Sequence, residues 1–208
     1  MSAEQQYIDF YREAAGVISQ RSLPVMNAAR EAAFRSFCAQ GFPSRKVERY
    51  KYTYVQADFS PNYGISLAPL QVADMPYCST LAQADARVAA FYGQVADGAD
   101  SMVALNTMLA VDTLVVHIPR NACPQHPIQI SHLLRSNVDD VMVNRRLLIV
   151  LDECAQADVV ITERAHDQHR FLTNQVIEVV AADGSSLNLY EVEETHLLCT
   201  RYSSLFIR

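Results

Sequence analysis

The sequence predicts an α+β protein, helical over residues 1–100 and built from short strands over residues 101–208. In the first part apolar residues recur at helical spacing. From about Thr113 they give way to short runs of Val, Ile and Leu separated by Pro, Asn, Asp, Gly and Ser. The strands also repeat, in two interleaved rows that share one period near 30 residues.

The first stripe, Tyr7, Tyr11, Ala14 and Ile18, predicts an amphipathic helix over about residues 4–20. A second follows Ser22. It opens on Pro24, carries the stripe Met26, Ala29, Ala33 and Phe37, and stops at Gly41 and Pro43. Residues Phe42 to Tyr77 form a Pro- and Tyr-rich stretch of little periodicity. A third helix is predicted from Leu81, Ala84, Val88, Phe91 and Val95, after the caps Ser79 and Thr80 and before Gly98.

Strands follow at about 113–118, 127–133, 145–151, 157–163, 172–181, 186–193 and 200–207. Taking every second one, Val116, Leu148, Ile177 and Ile207 fall in one row and Ile130, Ile161 and Leu189 in the other. Such rows fit a solenoid whose coils each give one strand to each of two facing sheets. Seven short strands also permit an antiparallel sandwich.

Composition narrows the function classes. With 208 residues, 50% hydrophobic and 19% charged, the chain is no disordered tail and has length enough for a core without disulfide or metal staples. Its net charge of -6 and lack of any basic run argue against a nucleic-acid partner. The acidic first residues do not read as a signal peptide. The longest apolar run, Leu147 to Leu151, is too short to span a bilayer, so a cytoplasmic protein with no membrane partner is expected. Cys38, Cys78, Cys123, Cys154 and Cys199 are odd in number and lack zinc spacing, which predicts free, buried thiols.

The stretch Arg30 to Thr53 reads REAAFRSFCAQGFPSRKVERYKYT. Through Arg30, Ala33, Phe37, Gly41, Pro43, Glu48, Lys51, Tyr52 and Thr53 it resembles the amino-terminal signature of SufD, in the SufB/SufD family of iron-sulfur cluster assembly scaffolds. Tyr50 stands where that signature usually has Trp. Ala104-Leu105-Asn106-Thr107, Asp112, Ile118-Pro119 and Pro127-Ile128 are similar to the family's lead-in to its β domain, with Thr113 replacing the usual Gly. Arg146 to Val150, Asn174 and Glu178 resemble its R-x-L-I-V strand and the N-x-x-x-E that follows.

The resemblance implies an N-terminal helical domain followed by a right-handed parallel β-helix with two strands per coil. The SufB side of the family looks different at its N-terminus. It further implies a non-enzymatic scaffold, working with a SufB-like subunit and a SufC-like ATPase, in which the full complex assembles the cluster and this chain binds no cofactor. Relatives of this kind are roughly twice as long, so the β-helix is expected to be truncated at the C-terminus, a fragment without the later coils and terminal helices that contact those partners. An open coil around Leu205 to Ile207 is then expected to self-associate.

Candidate reactive groups are few, and no catalytic, cofactor-binding or metal-ligating residue is assigned. Glu163, His166 and His169 form the densest metal-like constellation, read as a solvated loop between strands. Cys154 and Cys199 lie near strand turns and are read as packing groups. Tyr50, Lys51, Tyr52 and Tyr54 form a basic and aromatic strip, read as an anchor of the irregular segment onto the helices rather than as a base-binding surface. No phosphate loop, nucleophile elbow or HExxH is present. The competing reading, a β-solenoid enzyme or carbohydrate-binding protein, needs a groove lined by carboxylates or His, whereas the sheet-facing positions read as mostly Val, Ile and Leu.

Overall fold

The computed structural model describes residues 2–68, 70–96 and 98–208. Helix α1 (Ala3–Gln20) starts at Ser2, whose hydroxyl accepts from the Gln5 N–H, and buries Tyr7, Tyr11 and Ile18. Helix α2 (Pro24–Gln40) has proline in its first turn, where no N–H is missed, and buries Met26, Arg30, Ala33 and Phe37. It ends where Gly41 takes a positive φ of 64°.

The stretch without periodicity holds a short 3-10 turn (Glu48–Tyr50), α3 (Val55–Asp58) and β1 (Gly64–Ile65), and β2 (Cys78–Thr80) follows directly after it. The predicted third helix shrinks to one turn, α4 (Ala86–Ala89), capped by Asp85. A distant side chain cuts it short: the Glu178 carboxylate takes the N–H groups of Gly93, Val95 and Ala96. Helix α5 (Ser101–Leu109) was not predicted. All nine of its residues are buried, so it has no polar face to set up an amphipathic stripe.

The seven predicted strands are β3 (Leu114–Ile118), β4 (Ile128–Leu134), β5 (Val141–Leu151), β6 (Gln156–Ala165), β7 (Phe171–Ala181), β8 (Ser186–Glu194) and β9 (Cys199–Ile207). One sheet has the order β2-β3-β5-β7-β9, with β1 also on β5, and the other β4-β6-β8. Every pairing from β3 onward is parallel, with Val116 beside Ile149, Ile149 beside Val179 and Val179 beside Ile207. Ile130 lies beside Ile161, which lies beside Glu191. This is a β-solenoid of about three turns, and the antiparallel sandwich is overturned. Among the described residues only β2 and β3 pair antiparallel.

Three apolar clusters hold the parts together. One lies between α1, α2, α5 and the start of β5 and β7, one fills the solenoid interior, and one lies between α4 and the outer face of β5. A further tie crosses the molecule, where Tyr202 of β9 lies 5.2 Å from the Phe59 ring and donates to Asp58 at 2.6 Å.

Candidate functional site

Strand β5 alternates. Leu147, Ile149 and Leu151 face the solenoid interior while Leu148 and Val150 face the helices. The same alternation carried toward its start puts Arg145 inside and Arg146 outside. Two polar clusters therefore sit back to back on the sheet, a buried one on the outer face and a partly exposed one on the inner face.

The outer cluster is a seam. Arg146 and Glu178 are both sealed from solvent and meet at 2.6 Å. Arg146 also donates to Asn106 Oδ1 and Thr107 Oγ1, and its guanidinium lies 5.0 Å from the Tyr92 ring. The Asn106 amide donates to the carbonyls of Arg145 and Asn174, which ties α5 to both strands. On the far side of α5, Arg30 of α2 donates to the Thr107 and Met108 carbonyls near the helix C-terminus. Burial pushes the Glu178 carboxyl up, but Arg146 and the N–H groups of Ala96 and Val95 outweigh it and hold it below the ordinary range.

The inner cluster lies in the lumen. Arg145 pairs with Glu163, which also accepts from Thr173. Glu191 takes Arg201, and the Gln175 amide donates to Glu191 and to Ser203, each at 3.1 Å. His132 completes it, and burial together with the charges of Arg145 and Arg201 lowers its pKa to about 3, so its ring is neutral. The expectation that sheet-facing positions are mostly Val, Ile and Leu is therefore corrected: it holds for one half of the lumen, and the other half is polar. The sequence signal was available in β5, where N-R-R precedes L-L-I-V-L, with charge inside a run otherwise suited to a core strand.

This polar half opens sideways. β1 covers β5 only at residues 141–142 and β3 only at residues 147–151, so residues 143–146 have no strand on that side among the described residues. A cavity of about 430 Å³ occupies the gap, lined by Arg145, His132, Gln175, Asp112 and Ser131 among others. Two of its polar atoms, His132 Nδ1 and Gln175 Oε1, are buried without a hydrogen-bond partner.

The residues singled out from the sequence fare differently. Glu163 is not in the loop but in β6, turned inward to Arg145. His166 and His169 lie in the turn that follows, with His169 Nδ1 2.9 Å from Asp139, so the three are not brought together. Among the described residues no cluster of three or more His, Cys, Asp and Glu is arranged to hold a metal ion. None of the five cysteines is fully buried, which corrects the packing reading. Cys38, Cys123 and Cys154 are exposed, and Cys78 and Cys199 are half-buried. Cys154 sits at a turn with φ 57°, and Cys199 lies 3.6 Å from His196. The aromatic strip is split. Tyr50 is an anchor, with its hydroxyl 3.0 Å from Asp100, while Tyr52 and Tyr54 are exposed and Lys51 stacks over Tyr52. Among the described residues no helix is long and apolar enough to cross a membrane.

A helical region tied by buried hydrogen bonds onto a parallel β-solenoid defines the class of protein by its architecture. Residues 1–80 and 78–130 match the SufBD protein N-terminal region, and residues 134–207 match the SufBD core domain of SUF system FeS cluster assembly. The chain belongs to the SufB/SufD family, whose members are scaffold components of iron-sulfur cluster assembly. No curated protein and no solved structure matches it.

Proposed function

We propose that this chain is a SufD-like, non-enzymatic scaffold that works in the cytoplasm beside a SufB-like subunit and a SufC-like ATPase. One observation carries the reading. The residues of the SufD-like signature do mechanical work at the seam: Arg30 holds the end of α5, Asn106 and Thr107 receive Arg146, and Glu178 closes the network. Side chains spent on joining two regions are unavailable for turnover. Iron and sulfide are cargo of the complex in this reading, and ATP hydrolysis belongs to the partner.

The test is anaerobic reconstitution with iron and sulfide, followed by desalting, absorption spectroscopy and elemental analysis. The expected result is a colourless chain on its own, with no stoichiometric iron or zinc, no nucleotide hydrolysis, and co-purification with a co-expressed SufB-like subunit. A cluster retained at about one per chain, or a metal lost on replacing His166 and His169, overturns it.

A further inference from the structure

We propose that the gap in the sheet between β1 and β3 is a binding site for a small oxyanion that still carries a proton, of the dihydrogen phosphate kind. The argument begins with the groups the cavity offers. The Gln175 side chain is almost fully buried, and its amide nitrogen is committed to Glu191 and Ser203. A carboxylate only accepts, so Glu191 fixes which way the amide points. The atom left over is Oε1, an acceptor without a donor on the wall of a cavity.

Donors face the same space. Arg145 spends one nitrogen on Glu163, and its other N–H groups carry no hydrogen bond among the described residues. A guanidinium edge of that kind matches two oxygens of one anion. His132 Nδ1 is unpartnered too, and a neutral imidazole can place its proton there. Local charge points the same way, since the charges of Arg145 and Arg201 disfavour a second cation at His132. The other charged lining groups are already engaged: Arg146 by Glu178, and Asp112 by the Thr113 N–H at 2.7 Å.

Other occupants fit less well. An apolar molecule leaves Oε1 and Nδ1 unpaired, and a buried unmade hydrogen bond is costly. A cation meets the guanidinium. An anion without a proton satisfies Arg145 but has nothing to give Gln175. The inference is independent of the cluster-assembly role.

The experiment is calorimetric titration of the full chain with inorganic phosphate, and separately with sulfate at matched ionic strength, at a pH below phosphate's second pKa. Sulfate is the sharper probe because it has the same shape and no proton. Saturable phosphate binding, with sulfate roughly tenfold weaker, is expected. Gln175→Leu should weaken phosphate roughly tenfold and leave sulfate unchanged, and His132→Phe should weaken both. Absence of saturable phosphate binding, equal affinity for the two anions, or indifference to both substitutions in folded variants overturns the proposal. The comparison of anions on the unaltered chain needs no variant, so a substitution that fails to fold does not spare it.

Discussion

Glu178 is a carboxylate removed from water and then matched almost atom for atom, with one guanidinium and three backbone N–H groups converging on it. Taking away one member of such a pair leaves the other charge buried and alone, so Glu178→Gln is expected to destabilise the fold by about 3–5 kcal/mol at neutral pH. Because the folded-state pKa is depressed, this stabilisation is present above the ordinary carboxylate pKa and is lost as pH falls through the folded value. Denaturant titrations should therefore show an acid limb for the unaltered chain that is flattened in Glu178→Gln. A variant that keeps the same acid slope removes Glu178 as its source. His132 predicts a separate effect at milder pH. Its folded pKa of about 3 lies below the unfolded value of about 6.5, so the unfolded chain binds the proton first. Stability should fall as pH drops below about 6.5, and His132→Asn should remove that component between there and the onset of carboxylate titration. A slope unchanged by the substitution in this interval counts against a buried neutral ring. Neither role could be read from the sequence, because one-residue alternation decides which arginine of the pair 145–146 faces the lumen and which faces the helices.

At the scale of elements, legibility followed periodicity. The strands repeat because each coil presents the same step to its neighbour, and Val116, Ile149, Val179 and Ile207 lie in register across four of them. Helix α5 has no such signature. Ser-Met-Val-Ala-Leu-Asn-Thr-Met-Leu is packed on all sides, against α2 on one and β5 and β7 on the other, so the contrast between faces that marks a surface helix is absent. The third predicted helix failed for the opposite reason. Its stripe is sound, but Gly93 turns the chain with a φ of 72° and the Glu178 carboxylate claims the N–H groups of Gly93, Val95 and Ala96 that a longer helix would use. Helix α5 is thus a fully buried joint between α2 and the sheet. Leu105→Ala is expected to cost about 2–5 kcal/mol by opening a cavity with no room to collapse, whereas Val17→Ala, on the exposed face of α1, should fall within about 0.5 kcal/mol. Urea melts with equal m values would check this, and equal losses at both positions would contradict a core role for α5.

For the molecule as a whole, a stack of coils is stable where each coil covers the next, and an uncovered coil presents both side chains and backbone. Strand β9 has β7 on one side and no strand on the other among the described residues. On the lumen-facing row, Leu205 is 44% and Ile207 64% exposed, against complete burial of Ile177 and near-complete burial of Val179 on the strand before. That surface is apolar, β-prone and edged by unpaired N–H and C=O groups, a combination that finds a mate readily. A second copy of the chain meeting it edge to edge would remove apolar area from water at roughly 25 cal/mol per Å², set against the entropy of association. Light scattering over a concentration series is expected to show self-association of the unaltered chain. Leu205→Lys or Ile207→Asp should shift it toward monomer, because a charge on the meeting face must be desolvated without a partner. Val17→Lys on the first helix should leave it unchanged. A clean monomer at high concentration, or a dimer indifferent to both β9 substitutions, would show that this edge is quiet and that the uncovered row is tolerated in water.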